Sequence, residues 1–181
     1  MFRKHVLILI ITLVILSGIP FAFWYSQPKT PLIALEKYSE NENSIKFSSL
    51  IKQVDISPDE SLIFYYNGNG NSACAVAKKT FGYCKIINIS SELACESSTL
   101  RTGMIGSGFE DGNTWKCLIW GIVYDKSVEK IVNDNIVQTK VNTPNFEMFY
   151  YINDGILKFD YHLYNSKGNE LELQFLNNAE N

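Results

Sequence analysis

The chain has 181 residues, a formal net charge of −3 and an apolar fraction of 46%. These values exclude a disordered chain and leave room for one core of ordinary size. They also argue against an electrostatic nucleic-acid binder. Beyond residue 25 the chain carries 14 Lys and Arg against 19 Asp and Glu, and its longest cationic run is the pair Lys78-Lys79, whereas phosphate recognition needs clustered positive charge.

Val6–Tyr25, VLILIITLVILSGIPFAFWY, contains no charged residue. At about 1.5 Å per residue, a helix of some 20 residues spans roughly 30 Å, the thickness of a bilayer's hydrocarbon core. Arg3 and Lys4 precede the run, and Phe21, Phe23, Trp24 and Tyr25 cluster at its far end. Flanking positive charge marks the cytoplasmic side, and aromatic rings favour the headgroup layer. Residues 1–25 are therefore expected to form a single-pass signal-anchor in the cell membrane, with the lipid bilayer as partner, the N-terminus cytoplasmic and the rest of the chain outside. The competing expectation is a secretory signal peptide. Its apolar core would be Val6–Leu16, broken at Gly18 and Pro20, and its best cleavage frame, a poor one, would end at Ala22. Both readings export the domain.

Residues 26–44 read as a linker. Ser26–Pro31 holds two prolines, Leu32–Tyr38 has the apolar spacing of a short helix, and Ser39–Ser44 is polar. Residues 45–181 read as one β-domain. Ile45–Ile56 mixes strand and helix periods, and part of it reads as a strand. Ser61–Tyr66, SLIFYY, is a strand, Asn67–Asn71 a hairpin connection, and Ala73–Lys79 and Tyr83–Ile89 two further strands joined at Thr80–Gly82. Ser90–Asp111, with glycines at 103, 106 and 108, has no clean period and reads as a long loop. Thr114–Tyr124, TWKCLIWGIVY, is the most apolar segment and the expected central strand. Gly121 within it signals a bulge or a close backbone approach. Val128–Val132, Ile136–Val141, Phe146–Ile152, Ile156–Tyr164 and Glu170–Phe175 read as strands, separated by Asn, Asp and Gly turns. Short strands at this spacing predict an all-β fold, an antiparallel sandwich or partly open barrel.

The four cysteines, Cys74, Cys84, Cys95 and Cys117, fall within one segment and lack C-x-x-C spacing. An even count in an exported domain predicts two disulfides. Cys74 with Cys84 across a hairpin centred near Lys79, and Cys95 with Cys117, is the expected pairing.

No cofactor, metal or catalytic constellation emerges. His162 is the only histidine beyond residue 25 and alternates with Lys158 and Asp160, as a solvated strand residue does. Gly106-Ser107-Gly108 does not match a G-x-S-x-G nucleophile elbow, nor do the glycines match G-x-G-x-x-G. Glu110, Asp111 and Asn113 offer oxygens to a hard cation, but without the ordered spacing of a calcium loop. Asn88-Ile89-Ser90 matches a glycosylation acceptor inside an expected strand. The dense aromatics Phe64, Tyr65, Tyr66, Phe149, Tyr150, Tyr151, Tyr161 and Tyr164 exceed what one sheet face needs; the favoured reading is tyrosines spanning core edge and solvent, and the alternative is that half of them form a contact surface.

Through its N-terminal run, the FYY strand, the KKTFGY turn and the WGIVYD strand, the chain resembles small membrane-anchored or secreted β-domain proteins of Gram-positive bacteria whose function is uncharacterised. The resemblance implies no catalytic residue. The expected function is a non-enzymatic module binding a protein or envelope component. The alternative is a small extracytoplasmic hydrolase or ligand-binding enzyme with its site under the loop 90–113. A deep pocket gathering His162 and acids beneath that loop would favour the enzyme.

Overall fold

The fold is built around strands buried on both faces, Thr114–Val123 and Glu60–Asn67 above all. A computed structural model describes residues 23–42, 45–97, 99–155 and 160–173. Strand β6, Thr114–Val123, sends Leu118, Trp120 and Ile122 to one side and Ile119 and Val123 to the other, all buried. Strand β2, Glu60–Asn67, divides in the same way, with Leu62 and Phe64 opposed to Ile63 and Tyr65. A strand apolar at every position needs a layer on each side.

Among the described residues three four-stranded antiparallel sheets supply those layers. The first joins β1 (Phe47–Asp55), β2, β3 (Ser72–Thr80) and β4 (Tyr83–Ile89) in chain order. The middle sheet has the order β5 (Thr102–Asp111), β6, β10 (Glu147–Asp154), β9 (Thr139–Asn142). The third has the order β12 (Glu170–Leu171), β11 (Tyr161–Tyr164), β7 (Lys130–Asn133), β8 (Ile136–Val137). Helix α1, Pro31–Asn41, covers the outer face of the first sheet with Leu35 against Ile63, Tyr65 and Ala75. One core therefore lies between the first and middle sheets, around Trp120, Phe64 and Met148. Another lies between the middle and third, around Phe149, Ile131 and Leu163.

The all-β expectation holds, and the architecture is a stack of open sheets rather than a partly open barrel, extending the simple sandwich by a layer. The stack also absorbs the aromatics. Tyr65 is buried against α1, Phe64 against the middle sheet and Phe149 against the third, while Tyr150 and Tyr151 are half-buried on opposite faces of β10. The alternative contact surface of spare rings is therefore absent at these positions.

Four sequence expectations change in instructive ways. First, the strand expected within 45–56 is β1, and its mixed period comes from register shifts at Phe47/Ser49 and Leu50/Lys52. Each bulge flips the inward face, so Ile45 and Phe47 join the α1 side while Ile51, Val54 and Ile56 join the middle-sheet side. Second, the glycine-rich half of the expected loop is strand β5, in unbroken register with β6 from Thr102↔Val123 to Asp111↔Thr114. Its glycines leave space for rings. A Cβ at Gly103 would lie 2.6 Å from the Tyr124 hydroxyl, and one at Gly108 would lie 2.6 Å from the Trp115 ring. Gly121 likewise marks a close approach and no bulge, since a Cβ there would lie 2.1 Å from the Gly103 carbonyl oxygen and 2.5 Å from the Phe149 ring.

Third, the expected strand 136–141 is two strands. The chain leaves the third sheet after Val137 and enters the middle sheet at Thr139, with the buried Gln138 at the crossing, its N–H donating to the Ile131 carbonyl at 2.8 Å. Fourth, residues 28–41 of the expected linker pack on the first sheet. The Cys84 N–H donates to the Pro28 carbonyl at 2.7 Å, and α1, capped by the Thr30 side chain, packs on the first sheet. Most of the expected 1–25 anchor, and residues 156–159 and 174–175 of the last two expected strands, lie outside the described residues. No helix among the described residues is long and apolar enough to cross a membrane.

The disulfide expectation is corrected, because all four thiols are free. The β3–β4 hairpin turns at Phe81-Gly82, which puts Cys84 opposite Lys79, five positions along β3 from Cys74. That is about 16 Å at roughly 3.3 Å per residue, far beyond the Cα separation a disulfide allows. Cys117 bonds the Gly155 carbonyl, whereas Cys95 bonds Ser72 and Gly70 beyond the opposite end of β6.

Candidate functional site

Where β6 ends, its chain continues into a tight local lattice. Tyr124 lies over Gly103 and donates its hydroxyl to the Ala94 carbonyl at 2.7 Å, which fixes the segment after β4. That segment is already pinned by reciprocal 2.8 Å hydrogen bonds between Leu93 and Ser72. The Arg101 carbonyl accepts the N–H groups of Tyr124 and Asp125, and the Arg101 guanidinium pairs with the Asp125 carboxylate. Hydrogen bonds from Ser127, and then the Arg101 charge, hold the Asp125 pKa below the ordinary carboxylate value.

Facing this lattice is the β9–β10 turn, Thr143-Pro144-Asn145. The Phe146 N–H donates to the Thr143 hydroxyl, and the Phe146 ring stands edge-on to Tyr66 at 6.4 Å. Between the two walls lies a cleft of about 690 Å³. Val123, Val128, Pro144 and Phe146 are its apolar lining, and Glu96, Lys126, Glu129 and the Lys140–Glu147 pair, 2.8 Å apart, are its charged rim. Cys95 and Ser97 border it from the segment following β4. Burial, followed by the neighbouring Cys95 thiol, raises the Tyr124 pKa, so this hydroxyl is a neutral donor at physiological pH. The lining can enclose an apolar group and offer both signs of charge around it. No histidine is among the described residues that line it.

His162 lies elsewhere, on β11 of the third sheet. Its Nδ1 is 2.6 Å from Glu170 and its Nε2 is 3.3 Å from Asp160. The Glu170 hydrogen bond, with both acids nearby, raises the His162 pKa despite some desolvation. The two carboxylates take opposite sides of the ring and so do not converge on one ion, and no metal-holding group of three or more ligands occurs among the described residues.

Asp111 is not a solvated turn residue. It joins Lys78, Lys116 and Glu60 in a tetrad bridging the first and middle sheets. Lys116 is 2.9 Å from Asp111 and 2.8 Å from Glu60, and Lys78 pairs with Asp111 and lies 3.8 Å from Glu60. Hydrogen bonds from Lys78 and then Lys116 hold the Asp111 pKa far below the ordinary value. Burial alone would lower the Lys116 pKa, but Glu60 and Asp111 outweigh it and raise it. With both its oxygens held by lysines, Asp111 is not a cation ligand, which removes the hard-cation reading of 110–113. Asn88 is also engaged, its amide donating to the Ser107 hydroxyl at 2.8 Å, and Ser90 is buried beneath Trp120.

No family model, curated protein or solved structure matches this chain. The comparisons therefore add no residue to the cleft.

The cleft residues Tyr124, Lys126, Glu129, Lys140 and Phe146 were not singled out from the sequence as a site. One signal was available: an aromatic flanking the central strand, diagonal to a glycine on the edge strand beside it, marks a ring lying across a bare backbone.

Proposed function

We propose that the protein is a membrane-anchored, non-enzymatic module whose outer β-domain binds an extended segment of an envelope protein in the Tyr124–Phe146 cleft. The observation that carries this reading is the cleft's composition: an apolar lining with Lys126, Glu129 and the Lys140–Glu147 pair at its mouth. Such a site suits a partner side chain anchored by burial and oriented by flanking charge. His162 does not line it, which weighs against a hydrolase with its site under 90–113. The anchor is the apolar run Val6–Tyr25, with the domain on the far side of the membrane.

A photocrosslinker at Lys126, in the full chain expressed in its native membrane, tests the reading. It should capture a discrete protein, and the adduct should disappear in the charge reversal Glu129→Lys while a probe at the distant, exposed Lys167 captures nothing comparable. Equal labelling from both positions, or an adduct indifferent to Glu129→Lys, would reject the cleft as the binding site.

A further inference from the structure

The β3–β4 hairpin turns at Phe81-Gly82, and both residues have positive φ, 48° and 80°. Glycine adopts this geometry freely and Asn tolerates it, but a phenylalanine there is strained. The strain secures no packing, because the Phe81 side chain is 88% exposed. A residue that breaks a local rule without a structural return marks a functional position.

Its surroundings indicate which function. The Trp24 indole N–H donates to the Phe81 carbonyl at 3.0 Å, and the Trp24 ring passes 3.6 Å from where a Gly82 Cβ would stand. Lys29 lies over the Trp24 ring at 3.6 Å and donates to the Trp24 carbonyl. Phe23 and Tyr25 are 69% and 73% exposed. Exposed rings thus gather at one end of the first sheet, with the exposed cations Lys29, Lys79 and Lys85 beside them. The apolar run of the sequence ends in this same patch, at Tyr25.

We infer that the Phe81 hairpin tip is a second membrane contact, inserted in the phospholipid headgroup layer beside the aromatic end of the anchor. This inference rests on the reading of Val6–Tyr25 as an anchor. Aromatic rings with neighbouring lysines are the composition favoured at that depth, the rings among the acyl–headgroup boundary and the ammonium groups toward phosphate. The hydrogen bonds from Trp24 to Phe81 and from Cys84 to Pro28 leave no free spacer between run and domain. Two contacts fixed to one body set the domain's tilt on the bilayer, which a single flexible tether would not do.

The full chain, reconstituted in vesicles of phosphatidylcholine and phosphatidylglycerol, tests this with p-benzoylphenylalanine replacing Phe81 or, as control, the exposed Ile136 of the third sheet. Lipid adducts at position 81 should exceed those at 136 several-fold. Phe81→Asn, which relieves the backbone strain and so preserves the fold, should make Lys79 markedly more reactive to a water-soluble amine reagent. Equal adducts at 81 and 136 in protein that stays with the vesicles through alkaline extraction would overturn the second contact and leave the anchor standing. Adducts at 81 to another protein chain instead of lipid would also overturn it. Release of the protein by alkaline extraction would reject the anchor, and this contact with it.

Discussion

The two interfaces of the stack are built differently. Between the first and middle sheets, strands of seven to ten residues face one another, with only the edge strand β9 shorter at four. Trp120 fills the centre with its indole N–H bonded to the buried Ser90 at 2.6 Å, and the Lys78–Lys116–Glu60–Asp111 tetrad closes one edge. Between the middle and third sheets the covering strands are two to four residues long, and the chain crosses between the sheets at Gln138, whose side-chain oxygen is buried without a hydrogen-bond partner. Long strands with satisfied polar groups unfold together, whereas short strands with few ladder bonds open locally. The first interface should therefore carry global stability, and the third sheet should behave as a less stable cover.

Truncating the centre of the first interface should have the largest effect. Trp120→Ala removes the largest fully buried side chain and the partner of Ser90. It should cost about 3–5 kcal/mol in denaturant unfolding, and a loss under about 1 kcal/mol would contradict the central role given to β6. Leu163→Ala, in the second core, should cost about 2–3 kcal/mol. That loss should appear in hydrogen exchange as faster exchange of β7 and β11 amides, with those of β2 and β3 little changed. Uniform loss of protection would show that the two interfaces unfold as one unit.

Asp111→Asn should cost about 1–3 kcal/mol at neutral pH by leaving the two lysines under-compensated. Because the folded Asp111 pKa is depressed, its contribution is complete above the ordinary carboxylate value and fades as pH falls through and below it. The stability gap between wild type and variant should therefore narrow in acid, and a gap constant with pH would remove the tetrad from the account. His162→Gln should have the smallest effect, since the ring is exposed. A raised histidine pKa stabilises below the ordinary value, and the contribution disappears as pH rises through the folded one. A slight destabilisation confined to mildly acidic pH is expected in thermal melts, and an equal effect in alkali would point to packing instead.

Much of the first sheet was legible in the sequence. SLIFYY, the NGNGN connection and the turn at Thr80–Gly82 carry local chemistry that decides strand and hairpin without distant help. Strand β5 was hidden because its glycines report room for Tyr124 and Trp115, which arrive from its neighbour and the segment beyond. The bulges of β1 were hidden because each shift reverses the alternation on which strand reading depends. The cleft was less visible still, since its walls come from segments after β4, β6 and β9 that share no motif.

The order of apolar, aromatic and turn residues was enough to determine an all-β chain of short antiparallel strands, a central TWKCLIWGIVY strand and an uncharged N-terminal run. Those properties depend on alternation and turn geometry within a few residues. Only the tertiary structure decided how many layers those strands make, which carboxylates are held by lysines, and that the four thiols lie too far apart to pair as expected. Each of these depends on register between strands distant in sequence, and one position of register exchanges the two faces of every strand it touches.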